Sequence, residues 1–321
     1  MTEYFNGNGI FVFSDAAGAK ACLALAYMLS KENKINSFRI FSNKQYEFYN
    51  DWNLKIEVVD NMPDSIFREQ GFLFTGTSHP QFSNSFELEA IKQAKQQNLH
   101  TFSFVDHWVN FTLRFKKEAE FIYPDNIIVI DQIAYANAIK EGIPSIKLQI
   151  FTNPYYTYIK KYWVPKFSKN ELFQKLHIRE TNCKIILYAP DPISLRFKNT
   201  INSFDEKSAL HDIIDSINFE SNVILLIKPH PLQIVTYLFE EIEKLKFSKK
   251  IILVEDIDNL ELINIADKII GFYSNFLIEA ACLEKDILRY FPDLNPPDLI
   301  NHLNVGRKIT DKSNLKMELN R

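Results

Sequence analysis

Short apolar runs alternate with helix-like segments from one end of the chain to the other. The run Val-Ile-Leu-Leu-Ile at 223–227 is typical, because it is too short for a helix and carries no polar face. Runs of this kind are characteristic of strands that are buried on both faces of a parallel sheet. The segments between them have helical spacing, and this alternation predicts an α/β fold with parallel sheets.

The alternation falls into two series, one in each half of the chain. In the first half, the pattern predicts strands at 9–14, 37–41, 55–59, 71–75, 101–105, 127–130 and 145–149, and helices at 16–30, 86–97 and 132–141. In the second half, it predicts strands at 184–188, 223–227, 250–254, 268–271 and 287–290, and helices at 206–217, 234–246, 259–266 and 276–283.

An aromatic-rich stretch without clear periodicity separates the two series. We therefore predict an N-terminal domain at 1–155, a connection at 156–182 and a C-terminal domain at 183–321. Two such domains facing each other across a cleft would hold a ligand between them.

Composition excludes several classes of protein. Of 321 residues, 46% are hydrophobic and 24% are charged, and the net charge is −3, so no basic field favours nucleic acid. The N-terminus lacks a basic and apolar signal segment, and no apolar run is long enough to span a bilayer. We expect a cytoplasmic protein, and a peripheral contact with the inner face of the membrane stays open. Cys22, Cys183 and Cys282 are isolated in apolar segments, which favours buried thiols over disulfides.

Lys228, Pro229 and His230 directly follow the predicted strand 223–227. The carboxyl ends of the strands are where open α/β sheets bind ligands, and proline makes this loop stiff. A stiff loop that presents one cation and one imidazole suits a phosphate group. The alternative is an ordinary strand-ending turn with a solvated lysine and a capping histidine.

Ala189, Pro190 and Asp191 follow the first strand of the C-terminal domain. Because consecutive strands are usually neighbours in a sheet, this loop should lie beside the loop of Lys228 and His230 and help to bind the same ligand. The alternative interpretation of the segment is a tight turn with a solvated Asp191.

A third motif of the C-terminal domain joins a strand to an apolar helix. Tyr273, Ser274 and Asn275 follow the predicted strand. Ser274 or Asn275 is a suitable N-cap for the helix, and free N–H groups at a helix N-terminus form an anion site. Glu279, one turn later, has apolar neighbours, which favours a carboxylate that faces the cleft and binds sugar hydroxyls over one at the surface.

In the N-terminal domain, Asp106 and His107 follow the predicted strand 101–105. An Asp-His pair at the carboxyl end of a strand could act as a general base, the aspartate directly or through the imidazole. Trp108, Asn110 and Arg114 could line the same pocket. The alternative is a buried tryptophan anchor with an aspartate–arginine ion pair.

Ser14, Asp15 and Gly18 follow the first strand of the chain. Small residues permit a close approach of the backbone, and the helix N-terminus could hold a hydroxyl or carboxylate of an acceptor. Neither G-x-G-x-x-G nor G-x-x-x-x-G-K-[ST] occurs, so dinucleotide and P-loop sites are not indicated. The seven histidines are scattered and no metal motif occurs, so we expect neither a metal nor a cofactor.

Taken together, three segments of the C-terminal domain resemble the second domain of GT-B glycosyltransferases. They are Ile-Leu-Tyr-Ala-Pro at 186–190, Lys-Pro-His-Pro at 228–231 and Tyr-Ser-Asn-Phe-Leu-Ile-Glu at 273–279. The likeness is to bacterial capsule and lipopolysaccharide enzymes, both sialyltransferase-like enzymes with a His-Pro motif and CDP-glycerol glycerophosphotransferases. It implies two Rossmann-like domains and a nucleotide donor held mostly by the second.

The resemblance also implies roles for single residues. His230 would contact the donor phosphate and help the nucleotide to leave, and Lys228 would add positive charge there. Ser274 and Asn275 would bind phosphate at the helix N-terminus. An acidic residue of the first domain would be the base, and Asp106 is the candidate in this sequence.

We therefore predict a metal-independent, inverting glycosyltransferase that acts on a surface-glycan or lipid-linked glycan acceptor, with a CMP-activated nonulosonic acid as the favoured donor. One alternative is an isomerase similar to UDP-N-acetylglucosamine 2-epimerase, which would need a richer set of acids in the first domain. The other is a non-catalytic GT-B-like binding subunit. An epimerase would turn over its nucleotide sugar without any acceptor.

Overall fold

The structure, a computed structural model, describes residues 5, 7–46, 52–68, 71–78, 85–180, 182–196, 205–230, 242–245, 247–292, 298 and 300–321. The chain forms two compact units, Met1–Tyr162 and Trp163–Arg321. The division between them falls inside the predicted connection at 156–182. Most of the predicted helix at 234–246 lies outside the described residues.

A parallel sheet is the centre of the first unit. The strands of this unit are β1 (Gly7–Phe13), β2 (Ile35–Ser42), β3 (Ile56–Val58), β4 (Phe72–Thr75), β5 (His100–Val105), β6 (Lys116–Lys117), β7 (Glu120–Phe121), β8 (Asn126–Val129) and β9 (Leu148–Ile150). β6 and β7 form a separate antiparallel hairpin, and the other seven form one sheet in the order β3-β2-β1-β4-β5-β8-β9. The strand order reverses between β1 and β4, so the crevice at their carboxyl ends is where such a sheet binds ligands.

Helices pack on this sheet and bury the apolar residues of its strands. They are α1 (Ala16–Lys31), α2 (Ser85–Gln96), α3 (Phe111–Arg114), α4 (Gln132–Lys140) and α5 (Pro154–Lys161). Phe11 and Phe74, on neighbouring strands, are completely buried. Phe5 packs on Phe102 with ring centroids 4.7 Å apart. Buried aromatic rings remove large areas from water and contribute much of the stability of such a core.

Two glycines let the loop after β4 approach α1. A Cβ atom placed on Gly76 would lie 2.6 Å from the Cα atom of Gly18. The structure therefore has no room for a side chain at position 76. Asp15 begins α1, because its side chain accepts the N–H of Gly18 at 2.7 Å. The loop after β4 and the first turn of α1 are therefore in direct backbone contact.

The second unit repeats the plan with a parallel sheet of six strands. Its strands are β10 (Lys184–Tyr188), β11 (Val223–Ile227), β12 (Ile251–Leu253), β13 (Lys268–Gly271), β14 (Ile287–Tyr290) and β15 (Arg307–Ile309). Its helices in the described residues are α6 (Lys169–Lys175), α7 (Ile193–Arg196), α8 (Glu206–Ser216), α9 (Asn259–Ile265), α10 (Asn275–Cys282) and α11 (Lys312–Leu319). The strand order is β12-β11-β10-β13-β14-β15, which reverses at β10 and β13.

The predicted α/β fold with parallel sheets is confirmed. The predicted strands β10, β11, β13 and β14 have the observed bounds. The predicted strand at 145–149 begins instead as a 3-10 turn, Ser145–Lys147, and continues as β9. As predicted, Cys22, Cys183 and Cys282 are free and buried.

Candidate functional site

Three loops of the second unit meet because their strands are neighbours. β10 lies between β11 and β13, and the three strands run parallel. The ladder extends into the loops, since the N–H of Lys228 donates to the carbonyl of Tyr188 at 2.9 Å. The predicted proximity of the loops at 189–191 and 228–230 is confirmed. The loop at 272–274 lies on the other side of β10, at the end of β13.

Asp191 is completely buried, so the interpretation of a solvated turn residue was wrong. Its Oδ2 atom accepts the backbone N–H of Tyr273 at 3.1 Å. Ala189 and Pro190 before it are buried as well. Sequence pattern missed this because the partner of Asp191 comes from the loop after β13, far along the chain. The carboxylate joins two of the three loops and thereby fixes the turn that leads into α10.

Ser274, one of the two predicted candidates, is the N-cap of α10, but its hydroxyl does not cap the helix. The residue has the extended backbone of an N-cap, with φ −77° and ψ 159°, and its side chain makes no capping hydrogen bond. The buried Oγ atom has no hydrogen-bond partner within the described part of the chain. Asn275, the first residue of the helix, is exposed. A hydroxyl and the free amides of a helix N-terminus are suited to an anionic ligand.

Glu279 is 2% exposed, so the alternative of a surface position for this residue was wrong. It lies in the second turn of α10 between Ile278 and Ala280, which are also buried. A carboxylate in the protein interior requires hydrogen-bond donors around it. Hydroxyl, amide and guanidinium groups can donate such hydrogen bonds. Its burial keeps open the prediction that it binds sugar hydroxyls.

The ammonium group of Lys228 points into its own unit. Its Nζ atom donates to the carbonyl of Glu255 at 2.5 Å and to the carbonyl of Ile257 at 3.0 Å. Burial lowers the pKa of Lys228, and nearby acidic residues, Asp258 first, oppose this effect. The side chain therefore holds the segment between β12 and α9, a role that the sequence did not indicate. Pro229 and His230 are half-buried, and the following proline lies outside the described residues.

Sequence pattern missed Arg289, which supports the same turn from β14. Its guanidinium is 3% exposed, donates from Nε to the carbonyl of Phe272 at 3.0 Å and pairs with Asp298. An arginine within the apolar run of β14 was the available signal, because a buried cation needs a partner. Arg289 fixes the carbonyl of the residue before Tyr273.

In the first unit, the predicted residues Ser14, Asp15 and Gly18 lie at the carboxyl end of β1. Burial raises the pKa of Asp15, and the negative charge of Asp106 raises it further, whereas the hydrogen bond from Gly18 and the charge of Arg114 lower it. The structure thus brings Asp15, Asp106 and Arg114 into one electrostatic neighbourhood at the edge of this sheet.

Arg114 and Asp106 form the ion pair that the packing interpretation predicted. Arg114 is 8% exposed, its guanidinium bonds to the carbonyl of Thr77, and it lies 3.4 Å from Oδ1 of Asp106. The side chain of Asp106 keeps 18% of its surface exposed. The aspartate therefore remains accessible from the edge of the sheet, and its role as a base stays a prediction.

Trp108 is an anchor between elements of the first unit. The residue is buried, and its Nε1 atom donates to Oδ2 of Asp131, the N-cap of α4, at 2.7 Å. The half-buried ring of His107 packs edge-on against Trp108 with centroids 5.8 Å apart. The indole N–H therefore links the loop after β5 to the start of α4.

Glu87 is the acidic residue of the first unit that sequence pattern missed. It lies in the first turn of α2, is 2% exposed, and accepts hydrogen bonds from Ser14 and Ser78. Burial raises the pKa of Glu87 to about 7, although the bonds from Ser14 and Ser78 lower it. Within an amphipathic helix pattern, Glu87 looked like any residue of the polar face.

Two features concern ions and membranes. Among the described residues, no group of three or more histidine, cysteine, aspartate or glutamate side chains is placed to hold a metal ion. In the same part of the chain, no helix is both long and apolar enough to cross a membrane.

Sequence comparison gives one partial relative. No family model matches the chain. A stretch of 133 residues, or 41% of the chain, is 30% identical to the teichoic acid glycerol-phosphate primase of Bacillus spizizenii and covers 32% of that protein. The chain therefore spans about a third of the length of the curated relative that it matches.

Solved structures with a similar fold cover nearly the whole chain. Anabaena HepE, in complex with UDP-glucose, has a TM-score of 0.62 over 97% of this chain and 88% of HepE, at 11% identity. UDP-GlcNAc 2-epimerase from Methanocaldococcus jannaschii has a TM-score of 0.64 over 98% and 93%, at 14% identity. The Neisseria meningitidis epimerase bound to UDP-GlcNAc has a TM-score of 0.62 over 98% and 90%, at 14% identity. The chain thus has the α/β fold of the GT-B type.

Proposed function

We propose that the protein is a glycosyltransferase that binds the phosphates of a nucleotide-activated sugar at the carboxyl edge of the second sheet. The observation that carries this proposal is the N-terminus of α10, where Ser274 stands at the cap but its hydroxyl is not used for capping. A pyrophosphate oxygen would accept from this hydroxyl and from the first N–H groups of the helix. Asp191 and Arg289 hold the turn in place from both sides.

We propose a uridine diphosphate sugar as the donor, in place of the CMP-activated nonulosonic acid that the sequence favoured. HepE and the bacterial epimerase share the fold and were solved with uridine nucleotides, which supports this choice. Glu279 would accept hydroxyl groups of the donor. His230 would neutralise charge on the leaving phosphate, together with the dipole of α10.

The transfer itself would be a single displacement with inversion. The acceptor hydroxyl oxygen attacks the anomeric carbon, the bond from that carbon to the phosphate oxygen breaks, and the nucleotide leaves with the bonding electrons. The acceptor proton passes to a carboxylate, and we propose Asp106 for this role because its side chain remains partly exposed. Fixed dipoles and cations stabilise the leaving group, so the proposed reaction proceeds without a metal ion. The acceptor would be a glycan or lipid-linked glycan.

A second candidate function is epimerisation of a UDP-sugar, and one observation favours it. The sequence indicated too few acids in the first domain for such an enzyme. In the first unit, Asp15 interacts electrostatically with both Asp106 and the buried Glu87, and burial raises the pKa values of Asp15 and Glu87. Removing a proton from a sugar carbon and returning one to it requires such a set of acids and bases.

The test is a thermal-shift series with UDP, UDP-glucose, UDP-GlcNAc, CDP and CMP, with and without Mg²⁺, followed by NMR of the shifted nucleotide sugar. A ligand that binds the native state raises the unfolding midpoint. We expect a uridine nucleotide to raise it without Mg²⁺, and the sugar to stay unchanged until a glycan acceptor is added.

Two outcomes would overturn the transferase proposal. A sugar signal that interconverts without acceptor would assign the protein to the epimerases. No midpoint shift with any nucleotide would favour the non-catalytic binding subunit.

A further inference from the structure

One buried carboxyl group joins two loops at the edge of the first sheet. Oε1 of Glu87 accepts the N–H of Ser14 at 3.0 Å and the hydroxyl of Ser78 at 2.6 Å, and Oε2 accepts the hydroxyl of Ser14 at 2.6 Å. Ser14 follows β1 and Ser78 follows β4, and both serines are completely buried. The loop after β4 also touches the first turn of α1, where Gly76 meets Gly18. Glu87 therefore holds together the two loops at the place where the strand order reverses, between β1 and β4.

Ser78 connects this buried group to the edge of the sheet. Its hydroxyl donates to Oε1 of Glu87 at 2.6 Å. A hydrogen bond from Ser78 would also lower the pKa of the Asp15 carboxyl, so this serine is within reach of both acids. A serine hydroxyl has one proton, so it donates to one carboxylate at a time. With Glu87 ionised, Ser78 donates to Glu87. With Glu87 protonated, the Glu87 O–H donates to Ser78, and the Ser78 proton turns to Asp15.

We propose that Glu87 is a proton-dependent positioning residue that acts through Ser78 on Asp15. Its protonation sets the direction of the hydrogen bonds between the loops after β1 and β4, and hence the proton affinity of the carboxylate at the edge. Neither the donor nor the reaction enters this inference, so it stands apart from the proposed function.

Among the titratable groups around Glu87 that are described below, Glu87 itself is the one that changes its protonation state near neutral pH. Burial raises the pKa of Glu87 to about 7. Burial raises the pKa of the Cys22 thiol in α1 well above its ordinary value, and the charge of Glu87 adds to this effect. The Tyr46 hydroxyl donates to the carbonyl of Ser14 at 2.8 Å, and burial raises its pKa to about 12. Asp15 responds in addition to Asp106 and Arg114.

The experiment is a ¹³C NMR titration of the full chain with labelled aspartate carboxyl groups. Asp15→Asn identifies the signal of Asp15 by its loss. We expect this signal to show an inflection near pH 7 in the wild type, which reports ionisation of Glu87. Glu87→Gln should abolish that inflection. Glu89→Gln is the matched control on the same helix, because the side chain of Glu89 is 41% exposed, and it should retain the inflection.

A wild-type signal without an inflection near pH 7, or an inflection that survives in Glu87→Gln, overturns the proposal. Ser78→Ala provides an independent arm if Glu87→Gln does not fold. This variant keeps Glu87 but removes the hydroxyl between the carboxylates, and it should reduce the amplitude of the inflection to less than half. An undiminished amplitude in Ser78→Ala also overturns the role assigned to Ser78.

Discussion

Ser274 and Ser168 both stand at the N-cap of a helix, but they use their hydroxyl groups differently. Ser168 accepts the N–H of Glu171 at 3.3 Å in a capping box, whereas the hydroxyl of Ser274 makes no capping bond. Ser168→Ala should therefore lower the free energy of unfolding by about 1 kcal/mol and leave the affinity for UDP unchanged. Ser274→Ala should change stability by less than about 0.5 kcal/mol and weaken UDP binding roughly five- to tenfold.

Chemical denaturation and titration calorimetry measure the two effects separately. The serine pair is a matched control, because both changes remove one hydroxyl at the start of a helix. Equal affinity for UDP in the two variants would show that Ser274 is not a phosphate ligand.

Glu87 should make stability depend on pH. Its pKa rises from 4.5 in the unfolded chain to about 7 in the fold, so folding takes up a proton between these values. The contribution of protonated Glu87 to the free energy of unfolding is fully present below pH 4.5, and it is lost as the pH rises through 7. Relative to Glu87→Gln, the wild type should lose on the order of 3 kcal/mol between pH 4.5 and 8. Denaturation at a series of pH values checks this, and a gap between the two proteins that stays constant with pH would contradict it.

Local pattern identified candidate residues where a loop follows an apolar strand, and it failed where burial depends on a distant partner. Ser274 was one of two caps, with Asn275, that were predicted from the local sequence alone. Glu87 and Asp191 were not predicted as buried, because their partners Ser14 and Tyr273 lie 73 and 82 positions away. A carboxylate can be recognised as an interior residue only when the donors around it are known.

Among the elements, the contact between α1 and the loop after β4 is the most restrictive. Gly76→Ala would place a Cβ atom 2.6 Å from the Cα of Gly18, and neither backbone can move without disturbing the sheet. We expect a loss of about 3 kcal/mol in the free energy of unfolding. Gly142→Ala is the comparison, because it meets no atom within 4 Å and costs only the strain of φ +95°, about 1 kcal/mol.

Denaturant titration of both variants measures this difference. A loss in Gly76→Ala no larger than that in Gly142→Ala would mean that the loop and α1 separate easily. In that case the hydrogen bonds of Glu87 to Ser14 and Ser78 would be the main interaction that holds the loop after β4 in place.

Elements with strong apolar periodicity were predictable, and short or polar ones were not. β10 and β11 have the predicted bounds because all their residues apart from Lys184 are apolar and buried. β15 was missed because Arg307 and Lys308 are exposed in it. The helix α11 buries Leu315 and Leu319 in the core. It was not predicted, because most of its other residues are polar and its apolar periodicity is weak.

For the whole molecule, the proposed phosphate site belongs to the second unit alone. UDP without a sugar should therefore protect backbone amides at the N-terminus of α10 and at the ends of β10, β11 and β13 from hydrogen exchange. Amides of α1 and α2 in the first unit should exchange as in the free protein. Exchange measured by mass spectrometry on peptic fragments tests this, and protection confined to the first unit would refute the assignment of the site.

The strand order of the second unit has a consequence for synthesis of the chain. β10 pairs with β13 through residues such as Ile186 and Lys268, and the bond from Tyr273 to Asp191 closes a separation of 82 residues. At 5–20 residues per second, β13 leaves the ribosome roughly 4–16 s after β10. During this interval one edge of an apolar strand has no partner, and unpaired edges recruit other chains. The order that gathers three loops around β10 thus also creates a period in which a translational pause would favour aggregation of the nascent protein.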